Sequence, residues 1–169
     1  SGYTGNKKIN HISISGNLAV ISVGYGVSIF KLDKKEFGDS SFFMVNGVYE
    51  AAKEAVIKDN LLYVVTATGL KSHEMDVTFP IFSSWNNVAP GNFTQISGTS
   101  TIAYSNANTV NFGDGSSFAN LPGSFTDIRD VMVTAQNIIV ADANEVSVFN
   151  ISGAFVKSYQ AGESLNSGF

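Results

Sequence analysis

Residues Asn137 to Phe149 read NIIVADANEVSVF: two apolar runs on either side of a small polar tip, Asp142-Ala143-Asn144-Glu145. Short β-rich runs joined by a tight polar turn have the grammar of a β-hairpin. The first run, Ile138-Ile139-Val140-Ala141, is apolar at consecutive positions. A strand of that kind has to be covered on both faces.

The phrase recurs. Four sixteen-residue windows align without a gap: Ser15 to Phe30 (SGNLAVISVGYGVSIF), Lys58 to His73 (KDNLLYVVTATGLKSH), Ser97 to Phe112 (SGTSTIAYSNANTVNF) and Thr134 to Phe149 (TAQNIIVADANEVSVF), with starts 43, 39 and 37 residues apart. Each has a polar start, an apolar run, a turn of small or polar residues and a second β-rich run. The turns are Gly24-Tyr25-Gly26, Ala67-Thr68-Gly69, Asn106-Ala107-Asn108 and Ala143-Asn144-Glu145.

A strand-like segment precedes each window, at Ile9–Ile14, Ala55–Ile57, Phe93–Ile96 and Ile128–Val133. Apolar stretches follow at Phe42–Val45, Val77–Phe82 and Ala154–Tyr159, with a poorer one around Phe118 to Phe125. Pro80 suits an outer edge strand, which needs fewer ladder donors. Tyr49 to Lys58 holds the best helix formers but has the length of one link plus a strand. Four strands per unit at a period near forty residues is the mark of propeller blades, small sheets stacked face to face. The expected fold is all-β: a β-propeller-like array of about four four-stranded antiparallel blades. They form one domain over residues 1–169, with blades at about 8–45, 52–82, 92–125 and 126–160 and a tail at 161–169.

The residues that carry a family likeness lie in the first and last copies. Gly16 to Ser22 followed by Val27 to Asp33 (VSIFKLD) resembles the LVIVD and YVTN class of propeller repeats without Trp-Asp marks. Val146 to Tyr159 (VSVFNISGAFVKSY) is similar to the strand-turn-strand ending of NHL-type blades. The likeness covers nearly the whole chain and implies architecture only. Copy two departs from it by ending in Ser72-His73 where an apolar pair belongs, and copy three by opening its first strand with Thr99-Ser100-Thr101. Four blades is the small end of the range for propellers. An unclosed array would expose an apolar face at each end. A closed ring, further blades or a partner copy would cover it.

Composition narrows the function classes. The chain has 169 residues, 44% hydrophobic and 14% charged, so it folds around a core of its own. Without cysteine it has no disulfide, thiolate metal site or cysteine nucleophile. The N-terminus shows neither an initiator Met nor an apolar signal core, and no window reaches the roughly eighteen apolar residues of a membrane span. The expectation is a soluble chain, processed or cut from something longer, without membrane insertion. Net charge is −4, with seven lysines against five acids in residues 1–58 and three bases against nine acids in 59–169. Lys7, Lys8, Lys31, Lys34 and Lys35 are only loosely grouped, which argues against nucleic-acid binding.

No recognised reaction motif is present: there is no Gly-x-Ser-x-Gly elbow, phosphate-cradling loop or His-Glu-x-x-His helix. Both histidines, His11 and His73, read as structural residues in different blades. Asp114-Gly115-Ser116-Ser117-Phe118 resembles the Asp-box turn of sialidase-like propellers with one residue missing, and reads as an Asp-Gly turn. Asp142, Asn144 and Glu145 carry calcium-type oxygens without the spacing of a calcium loop. Asn92-Phe93-Thr94 and Asn150-Ile151-Ser152 match the glycosylation acceptor at a rate this composition reaches by chance. The reading is no catalytic residue, no metal and no cofactor.

In a propeller the window turns emerge on the same side as the links between blades. That groups Tyr25, Thr68, Asn106, Asn108, Asp142, Asn144 and Glu145 with Trp85 of the Trp85-Asn86-Asn87 link as a candidate ligand face. Aromatic plates beside amides and carboxylates suit sugar rings or protein hot spots. The expected function is a non-enzymatic interaction module, extracellular or surface-displayed, that binds protein or glycan. The alternatives are a structural subunit or fragment of a larger extracellular or virion assembly, with oligomeric contacts, and a propeller-type enzyme whose acids, such as Asp127, Asp130 and Glu145, converge in the channel.

Overall fold

Each repeat folds as an antiparallel meander. In the computed structural model, which describes residues 5–160, the first sheet runs β1 (Ile9–Ser15), β2 (Leu18–Val23), β3 (Gly26–Lys31), β4 (Glu36–Phe42) in spatial order. A small hairpin follows, β5 (Met44–Val45) with β6 (Val48–Tyr49). The second sheet is β7 (Glu54–Lys58), β8 (Leu61–Val65), β9 (Gly69–Glu74), β10 (Asn86–Pro90). The third is β11 (Gln95–Gly98), β12 (Ile102–Ser105), β13 (Val110–Gly113), β14 (Phe118–Asn120). The fourth is β15 (Asp130–Val133), β16 (Asn137–Ala141), β17 (Glu145–Asn150), β18 (Phe155–Gln160).

All four sequence windows therefore become the two central strands of a sheet. In the first, Val23 pairs with Gly26 across the Gly24-Tyr25 turn. Gly26 sits at φ +132°, and a Cβ there would lie 2.2 Å from the Ser41 carbonyl oxygen. The close approach of β4 requires glycine. The tail at 161–169 lies outside the described residues.

The chain divides into two compact units, Ser1–Ile96 and Ser97–Phe169, with the boundary inside β11. In the first unit the two sheets pack face to face. Val20, Val27 and Ile29 meet Ala55, Leu62 and Val64, and Phe43, Ala52 and Phe79 complete the core. In the second, Ala103 and Val110 pack against Val131, Val133, Ile138, Val140 and Phe149, with Leu121, Phe125 and Ile128 from the connecting chain. Central strands buried on both faces are seen in β12, where all four residues are buried, and in β8, where only Leu61 is half-exposed. This is the reason their apolar runs do not alternate.

Two outer strands differ from the sequence reading. In the first sheet the outer strand is Glu36–Phe42; after it Phe43 is wholly buried and Met44–Val45 enter the small hairpin. In the second, Val77–Phe82 is no strand: it belongs to an excursion between β9 and β10 that ends in a 3-10 turn at Phe82–Ser84. The outer strand there is Asn86–Pro90, and Pro90, not Pro80, is the edge proline. The physical reason lies in His73. The ring is buried, its Nδ1 is 2.5 Å from the Glu74 carbonyl oxygen and its Nε2 is 2.6 Å from Ser84 Oγ and 3.3 Å from Thr78 Oγ1. The excursion folds over β9 to satisfy a polar group that β9 buries. Tyr49–Lys58 contains no helix: Tyr49 ends β6, and a link leads from it into β7.

Candidate functional site

In the first unit the link Glu50–Lys53 ties the tips of its two sheets together. The Ala52 N–H donates to Val23 O at 3.1 Å and the Lys53 N–H to Val65 O at 2.9 Å. Glu50 is buried in this link: Oε1 accepts from the Thr68 N–H (2.8 Å) and Oε2 from the Thr68 hydroxyl (3.0 Å). Lys71 Nζ donates to Thr68 Oγ1 at 3.0 Å and lies 3.7 Å from Glu50 Oε2. Burial of such an ion pair is costly unless hydrogen bonds complete it. Thr68, at the hairpin tip, completes it on both sides. Lys53, on the same link, donates from Nζ to Asn92 Oδ1 at 2.6 Å; burial pushes its pKa down, and Glu50 opposes that shift.

Beside this pair the 75–85 excursion delivers aromatic rings. Trp85 packs against Phe43, His73 and Phe79 at ring-centroid distances of 4.7, 5.3 and 5.6 Å, and its indole N–H donates to Phe79 O at 3.2 Å. Phe82 stacks on Phe43 at 4.9 Å, and Lys71 Nζ stands 5.7 Å from the Phe82 ring. Met44 and Val45 of the small hairpin form another wall; its turn, Asn46-Gly47, has φ values of +51° and +79°, the conformation for which Asn-Gly is selected. Together these elements enclose a cleft of about 540 Å³, lined among others by Thr68, Lys71, Phe82, Trp85, Asn86 and Asn87. Among the described residues, Lys71 is the one charged residue in that lining.

The second unit repeats the link geometry. The Ile128 N–H donates to Ala107 O and the Arg129 N–H to Ala141 O, both at 2.8 Å. Asp142 accepts from the Thr126 N–H (3.0 Å), the Asp127 N–H (2.6 Å) and the Ala143 N–H (2.9 Å). Burial pushes its pKa up, but these backbone donors and the Thr126 hydroxyl outweigh that and hold it below the usual value. Glu145 accepts from Ser147 Oγ at 2.9 Å and from the Gln160 amide at 2.7 Å. A smaller cleft of about 340 Å³ is lined by Pro122, Phe125, Asp142, Glu145, Phe149 and Phe155, among others.

The face expected from sequence is thus resolved into two groups, one in each unit. Trp85 and Thr68 share the first cleft, and Asp142 and Glu145 share the second. Tyr25 is engaged in packing: its ring stacks on Phe42 at 4.7 Å and its hydroxyl is 2.9 Å from Ser28 Oγ. The Asn106 carboxamide oxygen closes its own turn, accepting from Asn108 N, Thr109 N and Thr109 Oγ1 at 2.9 to 3.0 Å. Asn108 and Asn144 are exposed. Asn86 and Asn87, read as part of a link, open β10.

Lys71 and Glu50 escaped sequence reading, since residues 21 positions apart with ordinary neighbours carry no sign of pairing. The small hairpin had a signal, Asn46-Gly47 between Val45 and Val48. Asp114 forms a local turn, its Oδ1 accepting from Ser116 N, Ser116 Oγ and Ser117 N at 2.8 to 3.0 Å; these bonds, led by the Ser116 hydroxyl, hold its pKa at about 2. Among the described residues no group of three or more His, Cys, Asp or Glu is placed to hold a metal ion. No described helix is long and apolar enough to cross a membrane.

No protein-family model matches the chain, and no curated protein matches it in sequence. Solved structures match it in fold. PorZ, a bacterial surface component of the type-IX secretion system of Porphyromonas gingivalis, superposes with a TM-score of 0.70 at 17% identity, over 90% of this chain and 21% of PorZ. A chain of a nidogen/laminin complex gives 0.64 at 12% identity, over 86% of this chain and 60% of its own. The WD40 domain of Neurospora crassa Pan2 gives 0.64 at 13% identity, over 91% and 50%. The sheets described above are therefore blades of a β-propeller-type fold, and the chain spans from about a fifth to three-fifths of the length of these structures.

Proposed function

We propose that the chain is a non-enzymatic interaction module of the propeller type that binds protein or glycan through the end of the blades where hairpin tips meet links. The observation that carries this reading is the first-unit cleft, where a half-buried tryptophan, exposed side-chain amides and a buried cation converge. Such a mixture of one aromatic wall and a few fixed polar groups is typical of ligand pockets of this size. An extracellular or surface setting accords with PorZ, a surface component, and with the extracellular domain of a putative one-component system from B. thetaiotaomicron, at 15% identity and a TM-score of 0.65. The test is binding of the immobilised chain to glycan and secreted-protein panels, followed by Trp85→Ala and Asn87→Ala. Each substitution is expected to weaken the confirmed partner tenfold or more, and unchanged affinity in both would remove this face from the reading.

A second reading, blades as one piece of a larger assembly, is favoured by exposed apolar rows. β1 presents Ile12 and Ile14 and β4 presents Phe37, the last two about 70% exposed; in the second unit β18 presents Phe155, Val156 and Tyr159. Light scattering at two concentrations separates the readings, because a stable dilute monomer excludes self-assembly through these rows.

A further inference from the structure

Among the described residues, Lys71 has one hydrogen bond and one distant counter-ion. Its ammonium carries three donors. Thr68 Oγ1 takes one at 3.0 Å, and the Glu50 oxygen at 3.7 Å is beyond hydrogen-bond range. The side chain is only 9% exposed, and it lines the cleft. Glu50 does not line the cleft, and both its oxygens already accept from Thr68. A buried donor of this kind is best completed by a charged acceptor.

Building on the interaction-module reading, we infer that the first-unit cleft takes a carboxylate-bearing sugar, with Lys71 as the anion contact. The rest of the lining suits a sugar better than an acidic peptide. The Trp85 and Phe82 rings are rigid apolar walls for the C–H face of a pyranose. Asn86 and Asn87 are exposed carboxamides, each of which both donates and accepts, as a ring of hydroxyls requires. Met44 and Val45 add apolar lining without adding charge.

Trp85 is the chain's single tryptophan, so its emission reports on this cleft directly. The chain is titrated with an oligogalacturonate and with a sialylated lactose, against a neutral galacto-oligosaccharide and a glutamate-rich peptide. The expected result is a saturable change in Trp85 emission with at least one acidic sugar, tenfold or more weaker with the neutral one. Glu50→Gln/Lys71→Gln, which removes both buried charges together, is expected to abolish that preference while melting as a folded protein. Asn87→Ala, at an exposed position, is expected to weaken the acidic sugar without touching the pair. Equal response to the neutral sugar, response to the glutamate peptide alone, or no response to either acidic sugar each overturns the inference. In the first two cases the interaction-module reading stands; in the third it is decided by the panels above.

Discussion

Glu50 and Thr68 are bound twice, Oε1 to the Thr68 N–H and Oε2 to its hydroxyl, so an acid in the inter-blade link fixes the tip of the neighbouring blade. Lys71 neutralises that acid from the next strand, with side-chain exposures of 9% and 8% for the pair. Removing one member leaves the other buried and unpaired, which typically costs about 3–5 kcal/mol. Lys71→Met is therefore expected to lower the urea midpoint sharply, and Glu50→Gln/Lys71→Met to recover most of the loss. Equal midpoints for single and double variants would show that the pair is not coupled.

His73 organises the excursion that carries Trp85. Substitution by alanine removes the bonds to Glu74 O and Ser84 Oγ and the contacts with Phe79 and Trp85. A loss of about 2–4 kcal/mol is expected from the cavity and the broken hydrogen bonds together. The distinguishing readout is Trp85 emission, which should shift to the red below the unfolding transition as the segment loosens. Emission unchanged until global unfolding would mean that the excursion holds without the histidine.

The central hairpins were legible because an inner blade strand is covered on both faces and so must be apolar throughout, as in β8 and β12. The outer strands were not. β4 (EFGDSSF) and β10 (NNVAP) are mostly exposed or half-exposed, and β10 is joined to its sheet by backbone pairing with β9 that leaves no mark on its side chains. Conversely, Val77–Phe82 looked like a strand because it is apolar, yet Phe79 is buried as a plug and not as part of a ladder. Site chemistry was legible only where it is local: Asn106 and Asp114 close their own turns, whereas Lys71 and Glu50 meet through the packing of two elements.

Asp114 makes a pH-dependent contribution whose sign is fixed. Its folded pKa of about 2 lies below the ordinary 3.8, so its bonds to Ser116 and Ser117 stabilise the fold fully above the unfolded value and lose that effect as pH falls from about 3.8 to about 2. In Asp114→Ala the melting temperature should fall below the parent's at pH 6, with the difference closing near pH 2. Carboxyl resonances followed by NMR should place Asp114 among the lowest-titrating acids. A midpoint near 4 would refute the turn geometry.

Gly153 and Gly16 offer a controlled comparison. Both lie at positive φ, +85° and +56°, but a Cβ at Gly153 would come within 2.3 Å of the Phe112 ring, whereas one at Gly16 meets nothing within 4 Å. Gly16→Ala is expected to cost only the backbone strain, about 1 kcal/mol. Gly153→Ala adds overpacking and should cost about 2–4 kcal/mol. Equal costs from denaturant curves would show that the Phe112 ring moves aside freely.

Asp142 plays in the second unit the part Glu50 plays in the first, an acid whose oxygens tie a link to a hairpin tip. The difference is which partner moves: Glu50 stands on the link and reaches the tip, while Asp142 stands on the tip and reaches Thr126 and Asp127 on the link. Asp142→Ala leaves those amides to water at a cost of about 1–2 kcal/mol. Because the loss is local, amide exchange at Thr126 and Asp127 should accelerate well before exchange at core residues such as Ile138 changes. The lowered pKa adds a second check: the contribution is complete above the ordinary carboxyl value and disappears as pH falls through the lower folded one. Parent and Asp142→Ala should then exchange alike in strong acid and diverge toward neutrality, whereas a gap that persists at every pH would assign the role to side-chain packing instead of to the carboxylate.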